Sequence, residues 1–470
     1  MEGITDLRSA IAFLGEQGED IYVHPEEISP VCDIALHYLN HGAGVPASIN
    51  AREGSPILYT NVKGHSIPVL MGLFGTRRRN NLLLTLDKSS LPVMVDAIDN
   101  CVPPIKIDNP LCQENVIVSD IDLLKDLPIL TLTSEDSGPY ITLGLVYAID
   151  PFSGRKNCSI HRFCVHGSNA MTIWIVPRRH LGAFYHNALN SGQGSLPVSI
   201  NIGLDPAIYF SSCFTDPLIK LGENELGIAG GIRRRPVSIS DCITVPTECI
   251  SDAEIVIEGE ITRETADENP RDLFGVSMPE FLGYYGESKG SLPLVKVKAI
   301  TYRNNPTYQS LLGPGKEQSE LLAIPAEATA YKLLSEHLRI DVHNVHYSSA
   351  GGGQLLLILQ ICKHSERDDA VVRQAALMIL SMLYMLKQVI VVDEDVDIFS
   401  CEDVLWAMTT RFQPDTDIIC VRNQPGFPAD PSQSPDFSSA VPAAGITSKA
   451  IYDCTVPWKL KKKFRRTFTI

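Results

Sequence analysis

Asn157-Cys158-Ser159-Ile160-His161-Arg162 gathers an amide, an imidazole and a guanidinium, and Pro177-Arg178-Arg179-His180 adds further basic groups. Carboxylates follow at Glu223 and Glu225. An Asn/His/Glu set suits a hard or borderline divalent metal, and the planar fork of an arginine suits an anion. Together they read as a metal-and-phosphate site with Asn157, His180 and Glu225 as ligands. Taken singly, the same residues are a turn amide, a helix-start histidine and a solvated carboxylate, and Arg162 is equally a surface ion pair. Spacing alone leaves both readings open. Strict strand alternation puts Asn157 and Arg162 on opposite faces. Either a bulge intervenes, or the two serve different ends of one extended ligand.

A second candidate is Glu280, beside Met278, Phe281 and Leu282. Buried among them it would lose solvation, rise in pKa and suit proton donation; exposed, it is an ordinary loop carboxylate. Gly227–Gly231 and Gly351–Gly353 lack the strand–loop–helix context and the Lys/Ser pair of a phosphate loop, so neither is read as a nucleotide motif.

The elements that must carry these residues follow from periodicity. Residues 1–105 mix helices (from Asp6 and from Cys32) with short strands at Ile57 and Ile67, an α/β unit. From 106 to 305 short strands dominate: Ile141 to Ala148, Asn157 to Val165, Met171 to Val176, Val198 to Ile202, Ile255 to Ile261 and Leu294 to Tyr302, with a helix at His180 to Leu189. Such spacing favours a barrel or sandwich. Residues 306–470 read as a second α/β domain, with Pro325 opening a helix through Leu338. A long loop lies over 424–444, and Ser400 caps a helix through Thr410.

Length and composition agree with several domains: 470 residues, 44% apolar and 20% charged. The net charge of −15 argues against nucleic acid as the main partner. The basic run Lys459 to Arg466 reads as a phosphate patch or a solvated terminal segment. Twelve cysteines without a CxxC pair fit reduced thiols in a reducing compartment. The start of the chain lacks signal-peptide character, and the apolar run Ala375 to Leu386 is too short to span a bilayer. A cytoplasmic protein without membrane contact is expected.

The ordered motifs resemble the UbiD-type decarboxylase family over almost the whole chain. Leu73-Phe74-Gly75-Thr76-Arg77 is similar to its LFGxR signature. Ser137-Gly138-Pro139-Tyr140-Ile141-Thr142, Asp150-Pro151, Asn157 to Arg162 and Pro177 to His180 follow its central pattern. Glu225 to Gly230, Ala253 to Gly259, Glu280 to Gly286, Lys387 to Asp397 and Trp406 to Arg411 continue the match. The resemblance implies an N-terminal α/β domain, a central split β-barrel flavin-binding domain and a C-terminal α/β oligomerisation domain, giving a homodimer or higher homo-oligomer. It also implies non-oxidative decarboxylation of an aromatic, heteroaromatic or α,β-unsaturated acid through a covalent adduct with prenylated flavin mononucleotide. A flavin prenyltransferase would supply that cofactor.

By position, Asn157, His180 and Glu225 would hold a manganese-like ion on the cofactor phosphate, with Glu254 a nearby competitor. Ser211 and Ser212 would lie near a potassium-like ion, and Lys387 would reach the phosphate. Ile160, His161, Arg162 and Arg179 would border the flavin. Arg162 would orient the substrate carboxylate and Glu280 would donate the proton, while Trp174, Val176, Arg179 and Phe281 would line the substrate side. One departure stands out. The family writes Glu-Gly-Pro-Phe-Gly-Glu where this chain has Gly275-Val276-Ser277-Met278-Pro279-Glu280, so the first carboxylate is missing unless Glu268 or Asp272 replaces it. The alternatives are an ordinary flavin mononucleotide oxidoreductase on a split barrel, or a non-catalytic paralogue or partner subunit.

Overall fold

The computed structural model describes residues 3–44, 52–85, 89–176, 179–214, 225–270, 275–280, 282–338 and 340–468. The chain divides into two compact units, Met1–Leu321 and Leu322–Ile470.

The first unit is built on a closed barrel of six antiparallel strands: β1 (Tyr140–Ile149), β2 (Lys156–His166), β3 (Ala170–Ile173), β4 (Ser195–Ile202), β5 (Ile255–Ala266) and β6 (Leu292–Tyr302). The order round the barrel is β5-β4-β1-β2-β3-β6, and β6 pairs back onto β5 to close it. Closure satisfies the backbone groups that an open sheet leaves at its edges. β1 is apolar almost throughout and buried on both faces, because one face fills the barrel while the other is covered by neighbouring elements. Helix α1 (His180–Asn190) packs on β4, β1 and β2. Helix α2 (Glu225–Arg233) contacts β2.

A four-stranded mixed sheet precedes the barrel in the chain. It is formed by Tyr22–His24, Ile57–Tyr59 and Val69–Met71, and completed by Tyr308–Gln309 from beyond β6. The chain therefore leaves the barrel and returns to the N-terminal sheet, which makes one body of both.

α2 is buried along its length because it presents glycine to its neighbour. A Cβ at Gly230 would lie 2.3 Å from the Val102 carbonyl oxygen, and one at Gly231 would lie 2.8 Å from that of Ala97. The glycine run rejected as a phosphate loop is thus a smooth helix face, close-packed on the helix Ser90–Asp99 and the residues after it.

The second unit carries a five-stranded mixed sheet, in spatial order Asp341–Tyr347, Leu356–Cys362, Gln388–Asp393, Ile446–Asp453 and Ile418–Pro425. Ser400 caps the helix Cys401–Thr410 as expected, its hydroxyl accepting from the Asp403 N–H. Pro325 does not open a helix. It lies inside one that runs Lys316–Leu338. The preceding Lys316-Glu317-Gln318-Ser319-Glu320-Leu321-Leu322-Ala323 is rich in strong helix formers, and they extend the helix backwards past the single hydrogen bond that a proline lacks. Much of the terminal basic run is consumed by acids of the same unit: Lys461 pairs with Glu394, and Arg466 with Asp403 while lying over the Trp406 ring. All twelve cysteines are thiols.

Candidate active site

Arg162, on β2, is the hub of one cluster. Its Nε and Nη2 donate to Glu268 Oε1 and Oε2, each at 3.0 Å, in the parallel fork geometry that arginine makes with a carboxylate. Its Nη1 donates to Glu280 Oε1, and its guanidinium lies over the Trp174 ring, 5.0 Å from the centroid. Burial works against the guanidinium charge, but Glu280 and Glu268 outweigh it and the charged form is reinforced. Glu268 is sealed at 1% side-chain exposure, whereas Glu280 keeps 20%. Glu280 is partly buried, with its Oε1 against the Arg162 guanidinium. Glu268 stands where the departure at Gly275 left a gap, so an arginine with two carboxylates is complete. Asp272, the other candidate, lies outside the described residues.

Both carboxylates come from the excursion between β5 and β6. Glu268 follows β5, and its backbone N–H donates to the Lys289 carbonyl. Glu280 follows the short strand Val276–Pro279, which pairs with Tyr285–Glu287. Ser137 anchors this hairpin through its N–H to the Ser277 carbonyl and its hydroxyl to that of Ser288.

The other face of β2 carries a chain of hydrogen bonds whose directions follow from chemistry. The Trp174 carbonyl can only accept, so His161 Nδ1, 3.2 Å away, must carry the proton. Burial pushes the His161 imidazole down to about 4, so it is neutral and its Nε2 accepts. Ser159 then donates its hydroxyl proton to Nε2 at 2.9 Å, and its oxygen accepts from Asn157 Nδ2 at 2.9 Å. With the amide nitrogen engaged, Asn157 presents its Oδ1 as a ligand atom. Residues 157, 159 and 161 share a face, so β2 keeps its alternation. The register shift lies in β1, between Ile141 and Gly144, where a Cβ on Gly144 would meet Phe163 and Ile200 within 3 Å. The opposite-face reading of Asn157 and Arg162 therefore holds without a bulge in β2.

Glu225 opens α2, where the helix dipole favours a carboxylate. It is buried, and its Oε2 accepts the backbone N–H of Cys158, next to Asn157, at 3.0 Å. Its Oε1 is 3.9 Å from His180 Nδ1 at the start of α1. That is too long for a hydrogen bond, but bonds of about 2.1 Å put two ligand atoms of one octahedral ion roughly 3–4 Å apart. The imidazole nitrogen and carboxylate oxygen are thus spaced as two ligands of one divalent cation. Glu254, the competitor, is fully committed elsewhere: Arg8 forks onto it at 2.7 and 2.9 Å, and the Thr307 N–H donates to it at 2.9 Å.

The remaining expected residues are placed as follows. Ile160 pairs with Leu145 in the β1–β2 ladder. Ser211 and Ser212 are buried, and their hydroxyls donate to the Ile208 and Tyr209 carbonyls. Arg179 occupies the N-cap position of α1, without a side-chain capping hydrogen bond, and is partly buried. Val176 is partly buried. Phe281, Glu223, Pro177 and Arg178 lie outside the described residues. Lys387 belongs to the second unit, where its Nζ donates to Asp430 and Ser432, both at 2.6 Å. Ser159 was not singled out from sequence, although its place two residues from Asn157 and two from His161 is the signal that finds it.

Arg162 with its two carboxylates thus lies to one side of β2, and Asn157, with Glu225 beside its neighbour Cys158, to the other. The chain belongs to the 3-octaprenyl-4-hydroxybenzoate carboxy-lyase (UbiD) family: residues 16–98 match its N-terminal domain, 105–316 its Rift-related domain and 319–454 its C-terminal domain. A gallate decarboxylase of Lactiplantibacillus plantarum is 35% identical over 98% of this chain and 96% of its own length. The apo structure of a 3,4-dihydroxybenzoic acid decarboxylase from Enterobacter cloacae superposes with a TM-score of 0.95 at 40% identity, covering 100% of this chain and 98% of that one. An evolved dimeric form of the UbiD-class enzyme HmfF from Pelotomaculum thermopropionicum, solved with prenylated flavin mononucleotide, superposes at 0.82 with 30% identity, covering 99% and 97%.

Proposed function

We propose that this enzyme decarboxylates a hydroxylated benzoic acid, of the 3,4-dihydroxybenzoate or gallate type, with prenylated flavin mononucleotide. The observation that carries the reading is the Arg162 fork held between Glu268 and Glu280; the named substrates of the relatives supply the acid class. Asn157, His180 and Glu225 would hold a manganese-like ion on the cofactor phosphate, and a potassium-like ion would sit near Ser211 and Ser212. When bound, the cofactor supplies an electron sink for the pair left as carbon dioxide departs.

The chain's own residues do the rest. Arg162 orients the substrate carboxylate, and Glu268 fixes the plane of the guanidinium. Trp174 stacks beneath it and screens it from water. Glu280, the more exposed carboxyl, delivers a proton from Oε2, the oxygen outside the Arg162 contact, to the carbon that lost carbon dioxide. Water then restores that proton, so each turnover consumes one proton and releases one carbon dioxide. A cytoplasmic homodimer assembled through the second unit, loaded by a flavin prenyltransferase, completes the proposal, with residues 1–105, 106–305 and 306–470 as its three domains.

The test is co-expression with a flavin prenyltransferase, cofactor mass, and carbon dioxide release from 3,4-dihydroxybenzoate, gallate, cinnamate and a furan acid. Release from the first two supports the proposal. Unmodified flavin with reductase activity would establish the oxidoreductase alternative, and bound prenylated flavin without turnover on any acid would establish the non-catalytic one.

A further inference from the structure

The second unit brings a carboxylate, a thiol and an imidazole together at the open end of a hairpin. Asp341–Tyr347, at the edge of the five-stranded sheet, pairs antiparallel with Leu356–Cys362. Asp341 opens one strand and Cys362 ends the other, and the two stand directly opposite, on one face of the ribbon. That register depends on a bulge. Asn344 pairs with Gln360, and the same register continued to Asp341 would set it against Lys363. A shift between Val342 and Asn344 sets Asp341 against Cys362 instead, as bulges re-aim side chains. His364 follows two residues later, and its backbone is held: the His364 and Ser365 N–H groups donate to Asp368 Oδ2 at 2.7 and 2.8 Å. His364 Nε2 lies 2.8 Å from Asp341 Oδ2. One ligand atom from each of Asp341, Cys362 and His364 lies within 4.8 Å of the other two. The Asp341 and His364 side chains are 52% and 67% exposed, so as an ion pair alone they would contribute little. The thiol beside them makes the pair a donor set.

We propose that Asp341, Cys362 and His364 form a zinc site. Thiolate, imidazole and carboxylate are the donors zinc takes, and the sulfur selects it over manganese or magnesium, which prefer oxygen. The set therefore differs in kind from Asn157, His180 and Glu225, which contain no sulfur. Bonds of about 2.0–2.3 Å put neighbouring ligands of a tetrahedral ion roughly 3.3–3.6 Å apart. Rotation of the two exposed side chains closes the triad to that spacing. Burial, with Glu394 and Asp341 nearby, raises the free Cys362 thiol above its ordinary pKa, so the ion displaces that proton to solvent. The imidazole keeps its proton on the nitrogen that does not bind. Glu394, one residue past the neighbouring strand Gln388–Asp393, accepts from Lys461 Nζ at 2.8 Å. Three protein donors thus hold the ion, and water takes the fourth position. Bound there, zinc ties the edge strand to its neighbour at the end of the hairpin that has no turn.

Cobalt(II), which occupies zinc sites, is the probe, because a thiolate ligand gives it a near-ultraviolet charge-transfer band that oxygen and nitrogen donors do not. Titrated into the full-length, metal-free protein with a phosphine reductant, it should produce that band, and excess zinc should remove it. Cys362→Ser should lose the band. His364→Ala and Asp341→Ala should raise the half-saturating cobalt concentration by at least roughly tenfold, since loss of even a supporting partner costs that much. Zinc should also protect Cys362 of the wild-type chain from alkylation, mapped by mass spectrometry, while the exposed Cys401 and Cys420 react as before. No band in the wild type, or a band that survives in Cys362→Ser, would overturn the site. Equal alkylation of Cys362 with and without zinc would overturn it even if a variant folds poorly.

Discussion

Glu268 grips Arg162 through two parallel hydrogen bonds of 3.0 Å from the buried side, while Glu280 meets the same guanidinium from the more open side. The two carboxylates therefore have different tasks. One fixes the arginine, and the other remains available to a substrate.

Removing Glu268 leaves a buried cation without its fixed partner. Glu268→Ala is expected to destabilise the protein by about 3–5 kcal/mol, read as a shift in denaturant midpoint, with a smaller loss for Glu280→Ala. Equal losses for the two variants would contradict the assignment of Glu268 as the structural member.

Glu280→Gln keeps shape and removes the proton. Turnover should fall roughly 10²–10⁴-fold, while the bound cofactor retains its mass and absorbance. Full decarboxylation by this variant would remove Glu280 from the proton-donor role.

The directed chain Trp174–His161–Ser159–Asn157 predicts that residues which touch no metal set metal affinity. His161→Leu should weaken manganese binding by roughly 10–100-fold in cofactor-free protein, measured by electron paramagnetic resonance of the free ion. Ser159→Ala should do the same, and the double variant should be little worse, because one break already releases the Asn157 amide.

Glu317 provides a pH signature. Its buried carboxyl accepts the N–H groups of Gly72 at 3.0 Å and Phe74 at 3.1 Å, on either side of Leu73, and burial raises its pKa from 4.5 to about 7. A raised carboxyl favours the folded state when protonated. That contribution is complete below about pH 4.5 and is lost as pH climbs through 7, on the order of 3 kcal/mol in all. Wild type should lose stability across this interval relative to Glu317→Gln; parallel stability profiles would refute the assignment.

Much of this was legible from residue order. Alternation located the six barrel strands to within a few residues, and motif order singled out Asn157, His180, Glu225, Arg162 and Glu280 as candidates. What escaped was information held in three dimensions. Glu268 was one of two carboxylates that could replace the missing one, and the choice rested on the fold of the segment between β5 and β6, which returns it to Arg162. Glu254 and Glu225 look alike in sequence, yet only the folded chain puts Arg8 onto the former. Pro325 carried a helix-start signal that the helix formers before it overrode.

The seam of the barrel has a kinetic consequence. β5 and β6 join last in chain order, and the segment between them delivers both acids to Arg162. A chain with β1 to β4 already paired but the seam still open has most of its strands and none of its acid pair. Recovery of Arg162 pairing during refolding should therefore lag behind recovery of β-sheet signal, because closing so long an excursion is an entropically slow, non-local event. The same join that removes the last open edge also decides when the chain becomes an enzyme.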